Sequence, residues 1–141
     1  MTKRQKQRIE RCGLLQSRGW KIDSLRSLNQ IETHSGEETP KHILVKALLC
    51  KAIKDKGSSF ATEVRHTDRG IADVMDINEE SRGAYIYEVE TNCDRQRAVE
   101  KARQYTDEFS ADEILDCFVI DPTEAPDDIN ECAEWCAEKV V

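Results

Sequence analysis

The sequence predicts an α/β fold, with a mixed central sheet built in the order α-β-β-β-α-β and a helix closing the C-terminal end. Three observations carry this. Apolar residues recur at three- and four-residue steps over 39–56, then at two-residue steps between 60 and 90. A second helical stretch follows, and after it comes the nearly continuous apolar run Ile114-Leu115-Asp116-Cys117-Phe118-Val119-Ile120, as expected of a buried strand.

The elements follow in order. Thr39 and Pro40 form a helix start signal, with Thr39 as N-cap and Pro40 in the first turn, preceded by Ser35-Gly36-Glu37-Glu38. The helix carries Ile43, Leu44, Ala47, Leu48 and Cys50 and stops before Gly57. Phe60, Thr62 and Val64 alternate with Ala61, Glu63 and Arg65, which predicts a first strand, and a second is expected over 71–77. The polar stretch 78–83 reads as a turn before the third strand, Ala84-Tyr85-Ile86-Tyr87-Glu88-Val89-Glu90. A helix starting near 91–94 keeps Ala98, Ala102, Tyr105 and Phe109 on one stripe. It should connect two parallel strands, 84–90 and 114–120, by a right-handed crossover. A last helix from about 126 to 140 is expected to turn Ile129, Cys132, Ala133, Cys136 and Val140 inward.

A chain of 141 residues with 38% hydrophobic content suffices for one core. We therefore divide it into a basic N-terminal appendage, 1–36, and an α/β domain, 37–141. The appendage reads as a solvated arm or loosely held helix, broken at Gly13 and Gly19 and docked through a few apolar side chains such as Leu14, Leu15 and Trp20. Nothing at the N-terminus resembles a signal peptide, so the six cysteines are expected to be reduced and the protein cytoplasmic. Buried thiols are the expectation for Cys132 and Cys136, with a zinc site as the lesser alternative. No apolar run approaches the roughly 20 residues a membrane span needs, so no membrane partner is expected.

The net charge of −7 is unevenly distributed: +5 over 1–36, −1 over 37–105 and −11 over 106–141. A basic front and an acidic tail allow one face to meet phosphate while the other is solvated; the acidic tail serving only solubility is the alternative.

Glu88 and Glu90 lie two apart on an otherwise apolar strand and project from the same face. Asp73 sits among Ile71, Ala72, Val74 and Met75 on the preceding strand, where antiparallel pairing brings it near Glu88. Adjacent carboxylates resist burial unless a cation offsets them. An oxygen-only set suits Mg²⁺ or Mn²⁺, and phosphodiester hydrolysis is the natural reaction for such an ion. The other reading is a half-exposed strand whose two glutamates face water.

Glu63, the Gly70-Ile71-Ala72-Asp73-Val74 segment, the Tyr87-Glu88-Val89-Glu90 strand and the element order together resemble the PD-(D/E)XK nuclease superfamily, especially its small archaeal Holliday-junction-resolvase-like and restriction-endonuclease-like members. The resemblance covers about residues 38–121. It implies a restriction-endonuclease-like core that cuts DNA with Mg²⁺ or Mn²⁺. By position, Asp73 and Glu88 match the metal ligands and the Val89 carbonyl an additional one. Glu90 stands where the family carries its catalytic lysine, a departure that removes the positive charge expected there. Lys101, on the following helix, is the candidate substitute; its alternative is a solvated partner of Glu100.

Glu38, His42, Glu63 and Gln104 are candidate supporting residues, and Lys46 shares a helical face with His42. Lys3, Arg4, Lys6, Arg8 and Arg11 are candidate DNA contacts. The expected partners are thus DNA and, in a homodimer, a second copy of the chain. Two rival readings remain: a nuclease fold without catalysis that binds DNA or assembles with proteins, and an interaction domain whose acidic face mimics nucleic acid.

Overall fold

The computed structural model describes residues 1–23, 27–33, 38–78, 83–106 and 113–141. Among them the chain forms an α/β architecture with four α-helices and a five-stranded mixed sheet. The elements are α1 (Lys3–Ser17), β1 (Trp20–Lys21), α2 (Pro40–Asp55), β2 (Ser59–His66), β3 (Gly70–Ile77), β4 (Ala84–Val89), α3 (Arg95–Tyr105), β5 (Ile114–Ile120) and α4 (Ile129–Lys139). Sheet order follows chain order from β1 to β5; the first four strands pair antiparallel, and β4 pairs β5 in parallel across the α3 crossover.

Helix starts follow local chemistry. Thr39 accepts from the His42 N–H at the head of α2, with Pro40 next. Asp94 and Asp128 cap α3 and α4 in the same way. The Asp128 cap starts α4 later than the sequence suggests, and residues 122–124 instead form one 3₁₀ turn. Ile129, expected on the inner stripe, is 59% exposed because it occupies the first position after that cap.

Of the two forms expected for the N-terminal segment, a solvated arm or a loosely held helix, the structure shows a helix. Thr2 and Gln5 form a capping box at its start, and α1 continues through Gly13 to Ser17. A single exposed glycine costs only about 1 kcal/mol, less than the packing of Cys12 and Leu15 restores. Gly19 is a true break: its φ is 101°, and an added Cβ would lie 2.6 Å from Thr67 Oγ1. The chain then enters β1, where Trp20 pairs with His66 and is almost fully buried.

Two apolar cores cover the two sheet faces. Cys12 and Leu15 of α1 and Tyr105 of α3 pack on Met75, Ile77, Ile86 and Cys117. On the other face Val45, Leu49 and Ile53 of α2 and Cys132 and Cys136 of α4 pack on Phe60, Val74, Tyr87 and Val89. All six cysteines are free thiols, and five are buried. No helix is long and apolar enough to cross a membrane among the described residues. The segment 34–37, most of the 78–83 turn and Phe109 lie outside them.

Candidate active site

Alternation along β4 sends Tyr85, Tyr87 and Val89 to the α2/α4 core, so Ile86 and Glu88 face α1 and α3. The β3–β4 register runs through Met75↔Ile86 and Val74↔Tyr87. One step further, Asp73 lies opposite Glu88. Here the carboxylate of Asp73 joins the strands, its Oδ2 accepting the Val89 N–H at 2.8 Å. Asp73 is 9% exposed and Glu88 2%.

Burial pushes the Glu88 carboxyl from 4.5 up to about 9, and the charge and hydrogen bond of Asp73 push in the same direction. Lys101 and the Tyr105 hydroxyl act against them. Glu88 is therefore protonated at neutral pH. Its Oε1 is buried with no hydrogen-bond partner, an orphaned acceptor in a desolvated place. Above it, the fully buried Tyr105 donates from Oη to the Ile71 carbonyl at 2.8 Å. Burial, then the neighbouring Glu88, raises the Tyr105 hydroxyl, and the same two causes raise the Cys117 thiol.

Lys101 is half-buried on α3, and its charge acts on both Glu88 and Cys117. Glu90 stands apart. β4 ends at Val89, Glu90 donates its N–H to the Ile120 carbonyl, and the chain turns through Asn92 at a φ of 56°. That turn sets Arg97 beside Glu90, with Nε 3.1 Å from Oε1.

Glu38, His42 and Glu63 come together elsewhere, around Lys46 of α2. The Lys46 side chain is fully buried, with Nζ 3.3 Å from Glu38 and in a shorter ion pair with Glu63; His42 Nε2 lies 3.6 Å from Glu38. Glu63 lies between the paired residues Thr62 and Val64 but has a φ of 52°, outside the extended range. Burial works to lower the Lys46 pKa, yet Glu63 and Glu38 together hold it above its ordinary value.

Gln104 makes no direct bond to either carboxylate among the described residues; its amide donates to the Arg69 carbonyl and, at 3.4 Å, to Tyr105 Oη. Of the basic α1 residues, Lys3, Arg4 and Lys6 are exposed, whereas Arg8 and Arg11 are half-buried. Arg4 bonds the Gly57 carbonyl just before β2, at the end of the sheet where Ser59 pairs Ile77. That end lies about 13 Å along β3 from Asp73, four residues at the rise of a strand.

The contact of Tyr105 with Glu88 and the pairing of Arg97 with Glu90 arise only when α3 packs on the sheet. The i+7 spacing from Glu90 to Arg97 and the position of Tyr105 on the α3 stripe were the available signals.

Two acidic side chains and a buried orphan oxygen suit a hard cation, with Asp73 and Glu88 as its ligands. No group of three His, Cys, Asp or Glu side chains converges as a metal site among the described residues. Fold and site together define an α/β protein with a buried carboxylate pair where the antiparallel part of its sheet meets the parallel part. Compared with protein-family models, curated proteins and solved structures, the chain matches none.

Proposed function

We propose that the chain is a metal-dependent DNA endonuclease that hydrolyses phosphodiester bonds, with Mg²⁺ or Mn²⁺ held by Asp73 and Glu88. The observation that carries this reading is the meeting of those two carboxylates on adjacent strands, with one Glu88 oxygen buried and unpartnered. The element order from α2 to β5 supports it through the resemblance to the PD-(D/E)XK core, in which these two positions carry acids.

When bound, the ion supplies Lewis-acid activation of the phosphodiester and of an attacking water. The chain's own residues prepare the site. The Val89 N–H fixes the direction of Asp73. Glu88 keeps its proton while no cation offsets its burial, and releases it when one does. Lys101 provides a positive charge beside Glu88, where Glu90, paired with Arg97, supplies none.

Incubating the protein with supercoiled, linear and branched DNA in Mg²⁺ or Mn²⁺ tests the reading. Wild type is expected to cleave at least one substrate and Asp73→Ala none. Equal traces from both would remove the enzyme claim.

A second reading is a nuclease fold without catalysis. The Glu90–Arg97 pair and the 2% exposure of Glu88 favour it. It expects salt-sensitive DNA binding, indifferent to Asp73→Ala, with no cleavage.

A further inference from the structure

We infer that the nucleic-acid backbone docks along the outer side of α3, through Arg95 and Arg103, and not on the basic first turns of α1; this rests on the nuclease reading above. Both helices are basic in a chain of net charge −7: α1 carries five Lys or Arg against one Glu, and α3 carries four against one. Their surroundings differ.

On α3 the nearby acids are already engaged. Arg97 takes Glu90 at 3.1 Å and reaches Glu100 at 4.0 Å, while Asp94 accepts from the Arg97 N–H as the helix cap. Arg95 and Arg103 are exposed and have no acidic partner among the described residues. They lie eight residues apart on one side of the helix, flanking Val99, which is 42% exposed. Eight residues of helix separate them by about 12 Å, the axial reach of three to four nucleotides. Arg69, from the turn before β3, leans on the C-terminal end of the same helix, with Nη1 3.5 Å from the Gln104 carbonyl.

Helix α3 also carries Lys101 and Tyr105, the two residues that act on Glu88. These two face the sheet, on the opposite side of α3 from Arg95 and Arg103, so a backbone held on the outer side lies on the helix that covers the carboxylate pair. A backbone held at the first turns of α1 meets the opposite end of the sheet, where Arg4 is tied to Gly57. Arg95 and Val99 also form one lip of a groove whose α4 side carries Asp121, Glu124 and Lys139, so a polyanion is drawn to the Arg103 side of the stripe and away from the two acids.

The test is fluorescence anisotropy with a labelled duplex and a labelled single strand, in EDTA, over a series of KCl concentrations. Arg95→Gln/Arg103→Gln and the matched exposed pair Lys3→Gln/Lys6→Gln are compared with wild type, with circular dichroism to check folding. Each lost phosphate contact lowers the slope of log affinity against log salt by about 0.9 for duplex. The α3 pair is expected to lower it by about 1.8 and to weaken low-salt binding at least tenfold, with Arg95→Lys/Arg103→Lys restoring most of it. The α1 pair is expected to change the slope by less than about half as much. An equal or larger effect from the α1 pair would overturn the assignment, and so would polyglutamate competing as well as DNA, or a wild type that binds neither probe. Cleavage is read separately. Binding through α3 without cleavage in Mg²⁺ or Mn²⁺ would leave this surface standing and remove the enzyme reading, whereas cleavage with binding through α1 would do the reverse.

Discussion

Two buried charge clusters sit on opposite sides of this sheet, and they handle desolvation in opposite ways. Beneath α2, Lys46 stands between Glu38 and Glu63, so each carboxylate meets a cation. Beneath α3, Asp73 and Glu88 meet each other, opposed by the half-buried Lys101 and the Tyr105 hydroxyl and by no paired cation among the described residues. A compensated network of the first kind holds elements together. An uncompensated pair of the second kind leaves a proton trapped and an acceptor orphaned, which is the condition a divalent cation relieves.

The largest expected effect breaks the compensated side. Lys46→Met removes the ammonium that bridges Glu38 and Glu63 and should cost about 3–5 kcal/mol in urea unfolding, the usual loss when one partner of a buried pair is removed. Lys46→Met combined with Glu38→Gln and Glu63→Gln should recover most of that loss. A single mutant as stable as wild type would mean that the network carries no structural load.

The next effect concerns pH. The folded-state pKa of Glu88 is raised, so between about 4.5 and 9 the unfolded chain loses this proton while the folded chain keeps it. Metal-free wild type should therefore lose stability as pH rises through that window, by at most about 1.4 kcal/mol per pH unit. Glu88→Gln, neutral throughout, should flatten the dependence and be more stable than wild type at pH 8. Parallel pH profiles for the two proteins would contradict the assigned protonation.

Asp73→Asn is expected to have a smaller effect of the same sign. It removes the charge that pushes Glu88 upward but keeps an oxygen for the Val89 N–H, so the pH at which stability begins to fall should move. The smallest effect belongs to Arg97→Ala, whose side chain is half exposed to water; its melting temperature should stay within the scatter of wild type.

How much of this was legible in the sequence depends on how local each cause is. Thr39 and Pro40 mark the start of α2 because a cap involves only neighbouring residues. The two-residue period of β4 puts Glu88 opposite in facing to Tyr87 before any partner strand is known. Asp73 and Glu88 could be assigned to one face, but their contact depends on a register set by the whole β3–β4 pairing. Glu63 could not be read, because its reversed φ and its meeting with Lys46 arise only when α2 packs on β2. The α1 segment misled for a different reason: Gly13 signals a break, yet burial of Cys12 and Leu15 carries the helix past it.

The central claim is that Asp73 and Glu88 form a divalent-cation site, and calorimetric titration of metal-free protein with Mn²⁺ tests it most directly. The account predicts one saturable ion per chain for wild type, with proton release seen as a dependence of the measured heat on buffer ionisation, and loss of both in Asp73→Ala and Glu88→Gln. Absence of saturable binding in wild type, or binding that survives both substitutions, would contradict it.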